Sequence, residues 1–160
     1  MAIIKPNNNT LSAITALPTG LGGKVLQVVQ DTSVAQQSTT STSYVAVSGL
    51  TVNITPSAAS SKVLVLVSGT LYKPSGAYGL VTVYRDSTDI SDSSGTYRGF
   101  ATQYSSSSNA MSPTSISFLD TPNTTSQITY QLYFRASGGT SYWGEPSGTQ
   151  SNIQAIEIGA

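Results

Sequence analysis

Three aspartates, Asp86, Asp89 and Asp92, lie close together in the segment RDSTDISD, directly after an apolar run. Carboxylate oxygens are ligands that Ca²⁺ prefers, and the ion takes six to eight of them. The spacing lacks the glycine at the sharp turn and the late bidentate glutamate of a calcium loop. We therefore interpret the segment as an ordinary solvated loop, with calcium binding as the alternative, and we predict no bound metal or cofactor.

A second candidate site is the glycine-rich segment GGTSYWGEPSG, which contains Tyr142, Trp143 and Glu145. Aromatic rings on such a loop can stack on the faces of sugars while neighbouring hydroxyls donate hydrogen bonds. Alternatively, Trp143 covers one end of the fold or contacts a second subunit. The sequence thus predicts Tyr142 and Trp143 as a glycan contact or a subunit contact.

Most enzyme chemistry is excluded by the residue types that the chain lacks. The 160 residues include no His and no Cys, which removes thiolate nucleophiles, cysteine-bound metals and the usual general base near neutral pH. The seven carboxylates form no strong constellation, so we expect no catalytic activity. Seven basic and seven acidic residues give zero net charge, which argues against nucleic-acid binding.

The polar surface must consist mainly of hydroxyl groups, because Ser and Thr supply 48 residues and charged residues only 9%. The first residues, MAIIKPNNNT, lack the apolar stretch of a secretory signal, and no run of about 20 apolar residues occurs. We expect no membrane insertion.

The elements that must position these residues are β-strands. Runs of alternating or β-branched residues are separated by turn signals, at positions 24–30, 44–47, 50–54, 62–72, 78–85, 96–104, 115–119, 127–135 and 152–158. No amphipathic helix of ten or more residues is predicted in residues 24–160. The pattern predicts an all-β, antiparallel, jelly-roll-like sandwich of about eight strands over residues 24–160.

One predicted strand differs from the others. In residues 127–135 apolar side chains occupy one face only, whereas residues 63–67 (VLVLV) are apolar on both faces. An antiparallel strand in a small sandwich normally exposes one face to water. The two-sided strand therefore predicts a second cover, which is a subunit interface, a packed arm or a long loop.

Residues 1–23 differ in composition from the sandwich and form a predicted N-terminal docking arm. The arm has an Asn run, two prolines and a closing glycine cluster. Its apolar side chains are the predicted contacts with a capsid or a neighbouring subunit: Ile3, Ile4, Leu11, Ile14 and Leu17.

The segments ITPSAASSKVLVLVS and LDTPNTTSQITYQL and the ending IEIGA resemble small structural proteins of tailed bacteriophages, of the aquatic phage type, that are labelled tail-fibre or virion proteins. The resemblance covers residues 22–160. It implies a trimeric jelly-roll-like module on the virion and no catalytic motif.

Two functions follow from these observations. The first is a capsid cement or decoration homotrimer, anchored on the phage head and its major capsid protein by the N-terminal arm. The alternative is a tail-fibre or adhesin module that binds host surface glycans. Either way, we expect the protein in the virion, assembled in the host cytoplasm.

Overall fold

A computed structural model of the chain describes residues 24–74, 76–91, 94–106, 110–145 and 148–159. The predicted all-β fold is confirmed. Within the described residues no helix is long and apolar enough to cross a membrane. The described residues form eleven strands: β1 Val25–Ser33, β2 Gln37–Thr39, β3 Val45–Ile54, β4 Lys62–Lys73, β5 Ala77–Arg85, β6 Thr88–Asp89, β7 Ala101–Ser105, β8 Ala110–Asp120, β9 Ile128–Ala136, β10 Ser141–Trp143 and β11 Ser151–Ile158.

The strands form two antiparallel sheets that pack as a sandwich. Sheet A runs β1-β11-β4-β10-β2, and β8 pairs with the other side of β4; sheet B runs β3-β9-β5-β6, and β7 also pairs with β5. When the short strands β2, β6 and β10 are left out, the eight main strands have the order 1-8-3-6 in sheet A and 2-7-4-5 in sheet B. This is the jelly-roll order, with each long connection crossing from one sheet to the other.

The core lies between the sheets because each strand turns every second side chain inward. On β9, Ile128, Tyr130, Leu132 and Phe134 are buried, as the alternation predicts. On β4, Val63, Val65 and Val67 are buried against them. Both sheets therefore contribute β-branched and aromatic residues to one continuous core.

Several strand boundaries differ from the predictions; the predicted strand at 115–119, for example, runs over Ala110–Asp120. The runs at 44–47 and 50–54 are one strand, β3, interrupted by a register shift near Gly49, whose φ of +75° is the left-handed region that glycine tolerates. The predicted strand at 96–104 begins only at Ala101. Residues 94–99 leave the sheet edge, because Gly95 and Gly99 both take positive φ, and the chain rejoins β5 where Phe100 N donates to Val81 O.

Candidate functional site

Four apolar side chains form a row across the outer surface of sheet A. The register places Val28 of β1 opposite Ile156 of β11, Ile156 opposite Leu64 of β4, and Leu64 opposite Leu119 of β8. Val28 and Leu119 are 58% and 50% exposed, and the two between them are half-buried. This apolar row spans four strands and is uncommon on a surface otherwise rich in hydroxyl groups.

The apolar row belongs to a surface nearly without charge, which we call the neutral face: the outward side chains of β1, β2, β4, β8, β10 and β11. Lys62 is the one charged side chain among the outward positions of these six strands. In the row beside the apolar one, Gln154 Nε2 donates to Gln30 Oε1 at 2.8 Å. Two copies of such a face could meet without repulsion between like charges.

The two-sided apolar strand of the sequence is part of this face. Val63, Val65 and Val67 point into the core, while Leu64 and Leu66 point outward and stay partly exposed. Any additional cover must therefore come from outside the described residues of a single chain. A subunit interface or a packed arm as that cover stays a prediction.

The edge of sheet A beside the apolar row is also unpaired among the described strands. β8 is eleven residues long, pairs only with β4, and has a single charged residue, Asp120, at its end. Long edge strands with few charges invite pairing with another chain. Pro113 in the middle of β8 removes one donor and is one of the devices that limit such pairing.

The two predicted aromatic contacts have different environments. Trp143 is fully buried, and a Cβ on Gly69 of β4 would lie 2.4 Å from its Cζ2 atom. The ring is therefore a core element, and its interpretation as a glycan or subunit contact does not hold in this structure. Tyr142 points outward, with its ring 5.1 Å from that of Tyr72 on the neutral face. The role of Tyr142 as a contact stays a prediction.

The other predicted sites are covered only in part. The docking-arm residues Ile3, Ile4, Leu11, Ile14 and Leu17, and also Asp92, lie outside the described residues. Asp86 Oδ1 accepts a hydrogen bond from the amide of Thr129, and Asp89 Oδ1 accepts from the Thr82 hydroxyl. Asp86 thus ties the turn after β5 to β9, and Asp89 ties β6 to β5. Among the described residues no cluster of three or more metal-ligating acids exists. Calcium binding by this loop stays untested.

A buried glutamate that the sequence analysis did not single out holds three elements together. Glu157 of β11 is 1% exposed. Its Oε1 accepts from the amide and the hydroxyl of Ser57, each at 2.7 Å, and its Oε2 accepts from Gln27 Nε2 at 2.7 Å. Burial alone would raise the pKa of Glu157, but these hydrogen bonds outweigh it and lower the pKa to about 2. Glu157 is therefore ionised and structural.

A second buried charge is Lys73, at the end of β4. It is fully buried, and its Nζ donates to the carbonyls of Gly138 and Thr140, each at 2.7 Å. Burial lowers the pKa of Lys73. The side chain fixes the turn that leads to β10 and thereby sets where Tyr142 and Trp143 lie.

An ion pair joins the two sheets at one end of the sandwich. Arg85 Nη1 of sheet B lies 2.9 and 2.8 Å from the two oxygens of Asp120 in sheet A, and the buried Tyr130 hydroxyl donates to Asp120 Oδ2 at 2.6 Å. Burial, followed by the contact with Asp120, raises the pKa of Tyr130 and keeps the phenol protonated.

The comparisons with known proteins assign the chain to no family. No family model matches the chain. No curated protein matches it either. Among solved structures, a chain in the structure of infectious bursal disease virus Gx strain is similar, with 16% identity and a TM-score of 0.32. The match covers 91% of this chain and 43% of that chain, so this protein spans less than half of its length. A likeness this distant carries no argument about function.

Proposed function

We propose that this protein is a non-enzymatic structural protein of a virion and that it assembles as a homo-oligomer. The resemblance to bacteriophage proteins implies that the oligomer is a trimer. The observation that supports the proposal most is the apolar row within the neutral face. A jelly roll by itself hosts many functions, so the argument must rest on this surface rather than on the fold.

The energetics favour covering the apolar row. Fully burying a Val, Leu or Ile side chain contributes about 1.5–3 kcal/mol. Val28 and Leu119 are each about half exposed, so each offers roughly 1 kcal/mol per subunit on association. Contacts repeated in every subunit of a closed ring accumulate. On the neutral face Lys62 is the one outward charge among the six strands, which keeps the cost of desolvating this face low.

The finer proposal is a cement or decoration role on the head, with residues 1–23 as the anchor. The apolar residues of this segment, from Ile3 to Leu17, would supply contacts with the major capsid protein, and many repeated sites would multiply a modest affinity. The alternative is a tail-fibre or adhesin module that binds host glycans. Because Trp143 is buried, that alternative needs a different binding surface from the aromatic loop.

The oligomer is tested with a variant that makes the apolar row polar. Sedimentation velocity of the wild type should give about three times the monomer mass of 16.6 kDa. The double variant Leu64→Ser, Leu119→Ser should sediment as a monomer, while its circular dichroism remains that of a β-protein. Tyr104→Ser is the matched control, because Tyr104 is as exposed as Leu119 but lies on sheet B. A wild type that is monomeric at 100 µM, or a double variant that stays oligomeric, would refute the interface.

The location is tested separately with purified virions. A chain from which residues 2–21 are deleted should remain oligomeric but lose its binding to heads that lack the protein. If the truncated oligomer still decorates the heads, the anchor role is wrong. If the full-length oligomer labels tails and not heads in electron micrographs, the fibre alternative replaces the cement role.

A further inference from the structure

An open cavity of about 420 Å³ lies on the outer surface of sheet B, on the opposite side of the sandwich from the neutral face. Its volume falls within the range of about 300–1,000 Å³ that is usual for small-molecule sites. Residues 94–99 form one wall where they leave the sheet edge, and the loop before β3 forms another. The lining is Thr42, Ser43, Tyr44, Tyr84, Gly95, Thr96, Arg98 and Arg135.

The fixed cation of this cavity is Arg135, an outward residue of β9. Its Nη1 donates to Thr42 O at 3.0 Å, and its Nη2 donates to Thr96 O. The guanidinium carbon lies 5.1 Å from the centre of the Tyr44 ring, a cation–π distance. No carboxylate of the described residues lies within ion-pair distance of Arg135. Two carbonyls and an aromatic ring, all neutral, therefore position its guanidinium group.

A second, adjustable cation is Arg98, whose side chain is 50% exposed. Its Nε lies 3.9 Å from Asp89 Oδ2, which is a long contact, and Asp89 Oδ1 already accepts from the Thr82 hydroxyl at 2.6 Å. The Nη groups of Arg98 donate no hydrogen bond among the described residues, so they can meet an anion in the cavity while Nε stays beside Asp89 Oδ2. Two cations against the single carboxylate of Asp89 make the cavity positive, in a chain whose net charge is zero.

Aromatic rings and hydroxyl groups supply the rest of the lining. Tyr44 and Tyr84 meet edge to face at 6.4 Å, and Tyr84 stacks on Tyr133 at 4.1 Å. Burial raises the pKa of Tyr44 and of Tyr84, so both phenols stay protonated and can donate. The Tyr44 hydroxyl donates to Arg98 O, which ties the loop wall to the sheet.

We propose that this cavity binds an acidic saccharide, a pyranose ring that bears a carboxylate. The carboxylate pairs with Arg98 and the nearby charge of Arg135, the ring packs on the tyrosines, and the sugar hydroxyls bond to Thr42, Ser43 and Thr96. A bare anion would leave the aromatic and hydroxyl lining unused, whereas a neutral sugar would leave the charge of Arg135 without an anionic partner. The combination of both linings selects a charged sugar.

The site is independent of the proposed assembly. It lies on sheet B, whereas the apolar row lies on sheet A, so an oligomer built through the neutral face leaves the cavity open in every subunit. Several copies of a weak site on one particle would bind a polysaccharide with high avidity. The inference therefore adds a recognition surface and does not depend on whether the protein sits on a head or a tail.

The test is a titration of ¹⁵N-labelled full-length protein with methyl β-D-glucuronide, followed by amide chemical shifts. Methyl β-D-glucoside is the matched neutral sugar and acetate the matched anion. We expect the glucuronide to shift the amides of Ser43, Gly95 and Thr96 and to bind at least about tenfold more tightly than either control. Added salt should weaken the glucuronide, because its charge contact is solvent-accessible.

Two variants complete the test. Arg98→Gln should weaken glucuronide binding about tenfold or more, because a hydrogen bond between charged groups is lost, and should leave the melting temperature unchanged. Lys62→Gln removes an exposed cation from the other sheet and should leave binding unchanged. Binding of acetate as tight as that of the glucuronide, shifts confined to other amides, or an equal effect of both variants would each overturn the proposal.

Discussion

Replacing Glu157 by Gln should destabilise the protein strongly at neutral pH and hardly at all near pH 2. The carboxylate accepts three hydrogen bonds, two of them from Ser57 and one from Gln27, and it joins β11 to β1 and to the turn before β4. These bonds lower its pKa from 4.5 to about 2. An amide of the same shape presents two donors where one oxygen now accepts, so at least one of these bonds must be lost.

The magnitude follows from the linkage between protonation and folding. A pKa that is lower in the folded state means that the unfolded chain binds more protons between the two values, so stability is lost as the pH falls from 4.5 toward 2. The difference between a pKa of 4.5 in the unfolded chain and about 2 in the folded protein corresponds to about 3 kcal/mol of folding stability above pH 5, at about 1.36 kcal/mol per pKa unit. For a chain of this length that is a fall in melting temperature of about 6–12 °C.

The assay is urea unfolding of the wild type and of Glu157→Gln at pH 7, 4.5, 3 and 2.5, at one protein concentration because the proposed oligomer links stability to concentration. The difference between the two proteins should shrink steadily below pH 4.5. Glu145→Gln is the control, since Glu145 is the other glutamate of the sequence. A difference that is the same at every pH would refute the reasoning, because the loss would then come from shape and not from charge.

Three further predictions concern the sandwich. Gly69→Ala places a Cβ 2.4 Å from Trp143 Cζ2 and 2.6 Å from Ser151 Oγ. It should therefore lower the free energy of unfolding by about 1–3 kcal/mol and red-shift the fluorescence of the single tryptophan. An unchanged spectrum and stability would contradict this packing. Asp120→Asn removes the charge that pairs with Arg85 and one oxygen that can accept from Tyr130. It should lower the free energy of unfolding in urea at pH 7 by about 2–3 kcal/mol. An effect below about 0.5 kcal/mol would show that the packing of the two sheets does not depend on this pair. For Lys73, burial lowers the folded pKa, so the wild type should lose stability relative to Lys73→Met as the pH falls below 10.5. A pH-independent difference in urea unfolding would argue against the buried charge.

Hydrophobic periodicity predicted most of the strands because it reports directly which side of a strand is buried. β9 shows this clearly, with the apolar set from Ile128 to Phe134 inside and Thr129 to Arg135 outside. The two-sided β4 was also visible in the sequence, and its outward Leu64 and Leu66 form part of the surface that most resembles an interface. The cross-strand partners Val28, Ile156 and Leu119 were not visible, because the register that aligns them depends on contacts distant in sequence.

The errors share a physical cause. Trp143 lies in the glycine-rich segment GGTSYW, a composition that indicates an exposed loop. The small residue that makes room for its ring is Gly69, more than 70 positions earlier in the chain. Nothing in the sequence marks Glu157 and Lys73 as buried, because a charged side chain is buried only where several partners converge on it. Those partners, Ser57 and Gln27 for the glutamate and two turn carbonyls for the lysine, are supplied by tertiary structure alone.

The distribution of charge over the two sheets connects the fold to both proposals. Of the seven basic residues, Lys73 is buried and Arg85 is paired with Asp120 between the sheets, whereas Arg98 and Arg135 lie together on the outside of sheet B. Sheet A keeps a single outward charge, Lys62. In a sandwich, changing an outward residue of one sheet leaves the other outer surface nearly untouched, since a core about 10 Å thick separates them. The two functions can therefore be impaired one at a time. The double variant Leu64→Ser, Leu119→Ser should abolish assembly and keep glucuronide binding per chain, whereas Arg98→Gln should weaken glucuronide binding and keep assembly. A double variant that loses both would mean that the cavity on sheet B is completed only in the oligomer.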